Sequence, residues 1–162
     1  MPSATTKRGF AYPGVCSSPR GGMIRHGMNE EIDMPDVLAE VRSGWVAGRG
    51  PQFLEAVHAA IVEALHTPPD DKVLRLVEHP PQHFAIPGSA GERFTHIEIT
   101  MFAGRTLATK RTLYQAIVRN LERFGVPPKD VKIILIEVSA ESVGMRGGIA
   151  ACDLDIGYEI FV

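Results

Sequence analysis

The sequence of 162 residues lacks the features that mark several common classes of protein. Its two cysteines, Cys16 and Cys152, lie far apart and outside any Cys-x-x-Cys spacing, so we expect reduced thiols in a cytoplasmic compartment, with a disulfide as the alternative. No apolar run approaches the length of a membrane span or of a secretory signal. The formal net charge is only −2, so no overall basic field favours nucleic acid or an acidic membrane.

Residues 1–33 lack the apolar periodicity of the rest of the chain. They are rich in glycine, proline and serine, and no acidic residue precedes Glu30. Such a segment cannot bury enough apolar surface to offset the entropy lost on ordering. Two interpretations stay open, a disordered N-terminal extension or a true start at Met34. In both, one domain covers residues 34–162.

The remaining chain repeats one pattern twice. Each copy has Ala-Gly-Arg (47–49 and 103–105), a helical segment, a Pro-Pro-x-Asp turn (68–71 and 127–130) and an apolar run. Proline cannot continue a helix, so each turn ends the helix before it. The predicted apolar stripes are Leu54, Val57, Ile61 and Leu65 in the first helix, and Leu113, Ile117, Leu121 and Phe124 in the second.

Four apolar runs predict strands, at 36–41, 73–77, 96–102 and 131–138. Each copy is then a β-α-β unit with a right-handed crossover, the first over about 35–90 and the second over about 94–150. Two such units predict an α/β (α+β) fold, a four-stranded and mainly parallel-paired sheet with both helices on one face. We expect the other face to be apolar and uncovered, which predicts oligomerisation.

Two segments near the C-terminus carry weaker signals. Leu154, Ile156, Tyr158 and Ile160 alternate, which predicts a short final strand over about 152–162. The glycine-rich stretch 144–148 does not follow a phosphate-binding or dinucleotide pattern. It predicts a flexible loop, with Arg146 as an outside candidate for ligand binding.

Four motifs occur in a fixed order along the two copies. They are Met34-Pro35 at the first strand, PPDDKVLRLVEHPPQHFAI (68–86), GRTLATKRTLY (104–114) and EVSAESVGMRGG (137–148). Over about residues 34–148 the chain resembles the tautomerase superfamily. The second and third motifs resemble its malonate semialdehyde decarboxylase branch, and the fourth resembles a loop of the 4-oxalocrotonate tautomerase unit. The resemblance implies two fused units of a tautomerase/MIF-like fold, a homotrimer and a cofactor-independent enzyme.

The resemblance also implies that Pro35 is the catalyst once it is the N-terminal residue. A free α-amine has a pKa of about 7.7–8.0, and burial or a nearby cation lowers it. Such an amine suits proton transfer near neutral pH. An internal proline nitrogen is an amide and cannot act as a base. Met1-Pro2 is a competing start that precedes no strand, and Pro35 as no more than the start of a strand is the alternative.

Three further site residues follow from the resemblance. Arg105 and Arg49, at equivalent places of the two units, correspond to substrate-binding arginines, since a guanidinium holds a carboxylate through two hydrogen bonds. A solvated surface charge is the alternative for each. Asp71 corresponds to an aspartate that handles water or protons together with the proline. Its repeat at Asp130, which we interpret as structural, favours instead a turn residue that bonds local backbone.

The combined residues predict a cofactor-independent keto–enol tautomerase, an isomerase of small 2-oxo or enol carboxylic acids. Pro35 and Asp71 are its predicted catalytic residues, and no metal is expected, because Pro80 and Pro81 exclude a helix that would bring His79 and His83 together. One alternative is a trimeric ligand-binding scaffold in which the proline is blocked. Another is a 3-oxo acid decarboxylase or hydratase, which is disfavoured because Ala103 stands where that branch has a second arginine.

Overall fold

The structure, a computed structural model, describes residues 34–154. Its larger elements are β1 (Asp36–Arg42), α1 (Gly50–Leu65), β2 (Val73–His79), β3 (Thr95–Phe102), α2 (Leu107–Leu121) and β4 (Val131–Val138). Two short strands follow, β5 (Gly144–Met145) and β6 (Ile149–Ala150). The predicted α+β class and the predicted order of elements are confirmed.

The four long strands form one sheet in the order β2-β1-β3-β4. The pairs β1–β2 and β3–β4 are parallel, and the central pair β1–β3 is antiparallel. The two β-α-β units therefore run in opposite directions side by side. As a consequence, the starts of β1 and β2 lie at the same end of the sheet as the finishes of β3 and β4.

Both helices cover one face of the sheet, and the core lies between. In α2 the predicted stripe from Leu113 to Leu121 is buried, and Phe124 in the following turn is buried as well. In α1 the prediction placed Leu54 in the core, but Phe53 is fully buried instead, because its ring packs edge-on against Trp45 and Phe124 at centroid distances of 5.9 and 5.3 Å. No helix within residues 34–154 is long and apolar enough to cross a membrane.

The core is supplied by residues that follow Pro35. Its fully buried side chains extend from Val37 on β1 to Val126 after α2, with apolar residues of β4 packed against them. Every strand and helix that the structure describes also lies after Pro35. The stretch 35–154 thus carries the whole of this main core cluster, whereas Met34 belongs to a smaller second cluster.

The face away from the helices is less apolar than predicted. Alternate residues of the central strand β1 point to it, and they include Asp36 and Glu40. Arg75 of β2 pairs with Asp36 at 2.8 Å, and Glu40 contacts the imidazoles of His79 and His96 at 2.8 and 3.3 Å. Exposed apolar side chains on this face come from the edge strands, as with Val77 and Ile136. The face is therefore polar at its centre and apolar toward its edges.

The C-terminal part of the described chain differs from two expectations. Residues 144–150 form a short antiparallel hairpin rather than a flexible loop, because Arg146, Gly147 and Gly148 all adopt left-handed backbone angles that reverse the chain. Ala151–Asp153 form a 3-10 turn, so the strand predicted over 152–162 does not begin there. The rest of that predicted strand lies outside the described residues.

Candidate active site

Three of the predicted site residues meet at one end of the sheet. Pro35 is buried and directly precedes β1, and Asp71 lies two residues before the start of β2. Asp36 pairs with Val73 of β2, so Pro35 and Asp71 are neighbours across the two strand starts. Arg105 follows the finish of β3, and the antiparallel pairing of β1 with β3 brings that finish to the same end.

A hydrogen bond in this group joins Asp71 to the residue before Pro35. Asp71 is 1% exposed, and its Oδ1 accepts a hydrogen bond from the backbone N–H of Met34 at 2.9 Å. The backbone N–H of Asp71 donates to the carbonyl of Pro68 at 3.1 Å, which holds the Pro-Pro-x-Asp turn. The turn therefore presents the carboxylate to the main chain one residue from the Pro35 nitrogen.

Arg105 is buried beside the first turn of α2. Its guanidinium Nη1 donates to the carbonyl of Leu65 at the end of α1, at 3.1 Å, and its exposure is 7%. The next residue, Thr106, caps α2 by accepting from the N–H of Thr109 at 3.1 Å. A guanidinium and a helix N-terminus both favour an anion, so this corner of the molecule suits a carboxylate.

Sequence reasoning did not assign a role to Lys110, which lies one helical turn after Arg105. Its ammonium pairs with Glu137, near the finish of β4, at 2.6 Å. The pair joins the first turn of α2 to the last residues of β4 at the same end of the sheet. The signal was present, because Lys110 belongs to the GRTLATKRTLY motif.

The side chain of Met34 forms the apolar part of this region. It is 5% exposed and packs in one cluster with Phe102 and Ala151. Further apolar residues pack against that cluster, namely Val138, Ala140, Val143, Met145 and Leu154. These apolar residues, which we call the wall, come mostly from the turns and the hairpin after β4, and no pattern in the sequence predicted that they pack together.

Arg49 does not join the group within one chain. It lies between the finish of β1 and the start of α1, which is the opposite end of the sheet. Its Nε donates to the carbonyl of Val46 at 3.3 Å, and its guanidinium lies 5.2 Å from the centre of the Phe124 ring. Within a single protomer these contacts make Arg49 a packing residue.

The second unit reproduces the aspartate of the site without the proline. His96 pairs with Lys132, two residues after Asp130, so the register puts Thr95 in the place of Pro35. Asp130 is 1% exposed, and neither of its carboxylate oxygens has a hydrogen-bond partner among residues 34–154. The N–H that corresponds to that of Met34 belongs to Phe94, and it donates to Gly91 instead. The second unit therefore holds no basic amine at this place.

We searched residues 34–154 for a group of metal-binding side chains and for a cavity beside Pro35. Residues 34–154 contain no cluster of three His, Cys, Asp or Glu side chains that could hold a metal. One shallow depression is lined by residues such as Pro51 and Leu54, and another by residues such as Tyr114 and Val118. Neither includes Pro35.

Comparison with known proteins agrees with this fold. Residues 71–146 match the family model described as tautomerase enzyme. The fold is similar to malonate semialdehyde decarboxylase inhibited by 3-bromopropiolate, with a TM-score of 0.66 and 26% identity over 72% of this chain and 92% of that one. It is also similar to a protein inactivated by 2-oxo-3-pentynoate, with a TM-score of 0.68 and 25% identity over 75% of this chain and 100% of the other.

A third similar structure is a fused 4-OT, described as a symmetric trimer. The TM-score is 0.65 and the identity 22%, over 72% of this chain and 96% of that one. With two fused β-α-β units and these matches, the chain is similar to the tautomerase superfamily in its fold and in the matched segment. The resemblance predicted from the four sequence motifs is confirmed.

Proposed function

We propose that the protein is a cofactor-independent keto–enol tautomerase of small 2-oxo or enol carboxylic acids, with Pro35 as the base when the chain begins there. The observation that supports this most is the hydrogen bond from the Met34 N–H to Asp71. It puts a buried carboxylate next to the chain at the one position where an N-terminal proline would carry a basic amine. The match of residues 71–146 to the tautomerase family model supports the same class of reaction.

The proposed reaction divides the work among three residues. The Pro35 amine takes a proton from the enol oxygen or the α-carbon of the substrate and returns it at the other atom. The Asp71 carboxylate stabilises the protonated amine and holds it in place, because opposite charges in a buried site attract strongly. Arg105 holds the substrate carboxylate, aided by the N-terminus of α2.

The full chain is predicted to be inactive in this reaction. With residues 1–34 attached, the Pro35 nitrogen is an amide and the Met34 side chain fills the space beside it. In this form the protein would be a structural scaffold without catalysis. Activity therefore depends on a start at Pro35, through translation from Met34 or removal of the leading segment.

Assembly as a homotrimer is also proposed. The fused 4-OT relative is a symmetric trimer, and this chain presents a sheet face that the helices leave open. Exposed Val77 and Ile136 on that face favour contact with another copy.

The ketonisation of enol-phenylpyruvate tests the proposed function. We expect turnover by a chain that begins at Pro35 and none by the full chain. The matched control is the full chain with Met34→Gly, which removes the side chain before the proline but keeps both the residue 34 and the proline nitrogens as amides. Turnover by that control equal to that of the Pro35 chain would contradict the role of Pro35. So would an intact mass showing residues 1–33 retained on fully active protein.

Decarboxylation of a 3-oxo acid is the second candidate, favoured by the similarity to malonate semialdehyde decarboxylase. Ala103, whose N–H donates to the carbonyl of Val138 at 2.9 Å, offers no charged side chain beside Arg105. A second carboxylate anchor is thus missing from this position. Release of CO₂ from malonate semialdehyde by the Pro35 chain, at a rate above its ketonisation of enol-phenylpyruvate, would favour the decarboxylase.

A further inference from the structure

The place of the Met34 side chain identifies the space that a substrate must enter. Met34 is bonded directly to the Pro35 nitrogen, so its atoms occupy the volume next to that nitrogen. A base takes a proton across a heavy-atom distance of about 2.6–3.2 Å. Under the proposed function, a substrate that gives its proton to Pro35 therefore occupies the volume that Met34 leaves.

This volume has one polar side and one apolar side. The backbone N–H of Met34 faces the carboxylate of Asp71, whereas its side chain packs with Phe102 and Ala151. Val143 and Met145, from the turn after β4 and from β5, pack against the same cluster. An uncompensated charge on the apolar side would be costly, because the wall offers it few polar partners.

We propose that this wall is the specificity pocket of the enzyme and that it receives an unbranched apolar substituent on C3 of a 2-oxo acid or its enol. The expected substituent is about as long as a methionine side chain. Phe102, Val143 and Met145 are the residues that select it. The inference rests on the proposed function, which supplies the position of the reacting atoms.

The substrates tested are the enols of 2-oxobutanoate, 2-oxopentanoate and 2-oxohexanoate. The enol of 2-oxoglutarate, which carries a second carboxylate, is the charged substrate for comparison. The protein begins at Pro35 and retains the whole main core cluster, and circular dichroism checks that it is folded. Each added methylene should raise kcat/KM about fourfold, which corresponds to burying one methylene. The charged substrate should react more slowly than 2-oxohexanoate, the acid with the longest apolar chain.

Two variants within one segment test the wall. Val143→Phe fills the pocket and should remove the dependence on chain length. Ile149→Phe places the same ring on β6 of the hairpin, at a residue that is 45% exposed and outside the cluster. This control should retain the dependence on chain length. Equal kcat/KM for all chain lengths, or preference for the dicarboxylate, would overturn the inference and leave the tautomerase assignment standing.

A binding measurement separates the pocket from the chemistry. Affinities of the saturated acids butanoate, pentanoate and hexanoate are measured by calorimetry on the Pro35 chain and on the full chain. We expect affinity to rise with length on the Pro35 chain, to lose that rise with Val143→Phe, and to be absent where Met34 fills the space. Such binding without any ketonisation would support the pocket and contradict the proposed function. Binding that does not depend on length would overturn the pocket.

Discussion

Asp71 and Asp130 occupy the same place in the two β-α-β units, but only the carboxylate of Asp71 accepts the N–H of the residue that faces it across the strand starts. The backbone N–H of each donates to the first proline carbonyl of its own Pro-Pro-x-Asp turn, and each is 1% exposed. Asp71 accepts the N–H of Met34, whereas Asp130 has no hydrogen-bond donor among residues 34–154. The aspartate occurs in both units because both contain the same turn. The two aspartates differ in whether a neighbouring backbone N–H donates to the carboxylate.

Asp71→Asn in the Pro35 chain is expected to lower kcat by at least about 100-fold, because a neutral amide no longer stabilises the protonated amine. The matched control is Asp130→Asn, at the equivalent place in the unit without a proline. We expect that control to keep the parent kcat, and to gain stability because a buried carboxylate without donors costs more than a neutral amide. Steady-state ketonisation kinetics and urea unfolding measure both. An equal loss of kcat in the two variants would show that the aspartates act through the fold alone.

Arg105→Lys is expected to raise KM by about 10- to 100-fold, since lysine keeps the charge but loses the paired hydrogen bonds to a carboxylate. Arg49→Lys is the control at the opposite end of the sheet, and its KM should stay near that of the parent. The readout is the dependence of the ketonisation rate on substrate concentration. A comparable rise of KM for Arg49→Lys would contradict the assignment of Arg49 as a packing residue and assign it to the site of a neighbouring copy.

Ile136→Lys is expected to dissociate the proposed homotrimer, because it puts a charge among the exposed apolar residues at the edge of the open sheet face. Ile136 is 40% exposed in the single chain and lies on the sheet face that the helices leave open, so another copy could cover it. Thr112→Lys adds the same charge on the exposed side of α2 and should leave assembly intact. Sedimentation equilibrium gives the mass of each. A parent chain that sediments as a monomer would contradict the trimer.

Much of the fold was predictable because the same pattern of helix, turn and strand signals occurs in two copies along the sequence. The period of the apolar residues fixed the helices, and the Pro-Pro pairs fixed where they end. The error at Leu54 arose because both it and Phe53 fit a helical stripe, and the choice depends on the distant rings of Trp45 and Phe124. The polarity of the open sheet face depended in turn on ion pairs between neighbouring strands, such as Arg75 with Asp36.

The candidate site was predictable in part. Pro35, Asp71 and Arg105 follow from motifs whose order matches the superfamily, and the register of the sheet brings them to one end. The apolar wall was not predictable, because Phe102 and Val143 are far apart in sequence and become neighbours through the turns after β4. Asp130 could not be told from Asp71 by sequence pattern, since both end the same turn.

The most direct test of the account asks whether the Pro35 nitrogen is nucleophilic. The Pro35 chain and the full chain are treated with 2-oxo-3-pentynoate, and the modified residue is located by peptide mapping and mass spectrometry. The amine adds to C4 of the reagent, the alkyne carbon β to the ketone, and its proton moves to C3. The mass of the chain increases by the mass of one reagent molecule. The account predicts a single adduct on Pro35 in the Pro35 chain and no adduct on Pro35 in the full chain. A Pro35 chain that stays unmodified at Pro35 while it still ketonises enol-phenylpyruvate would contradict the account.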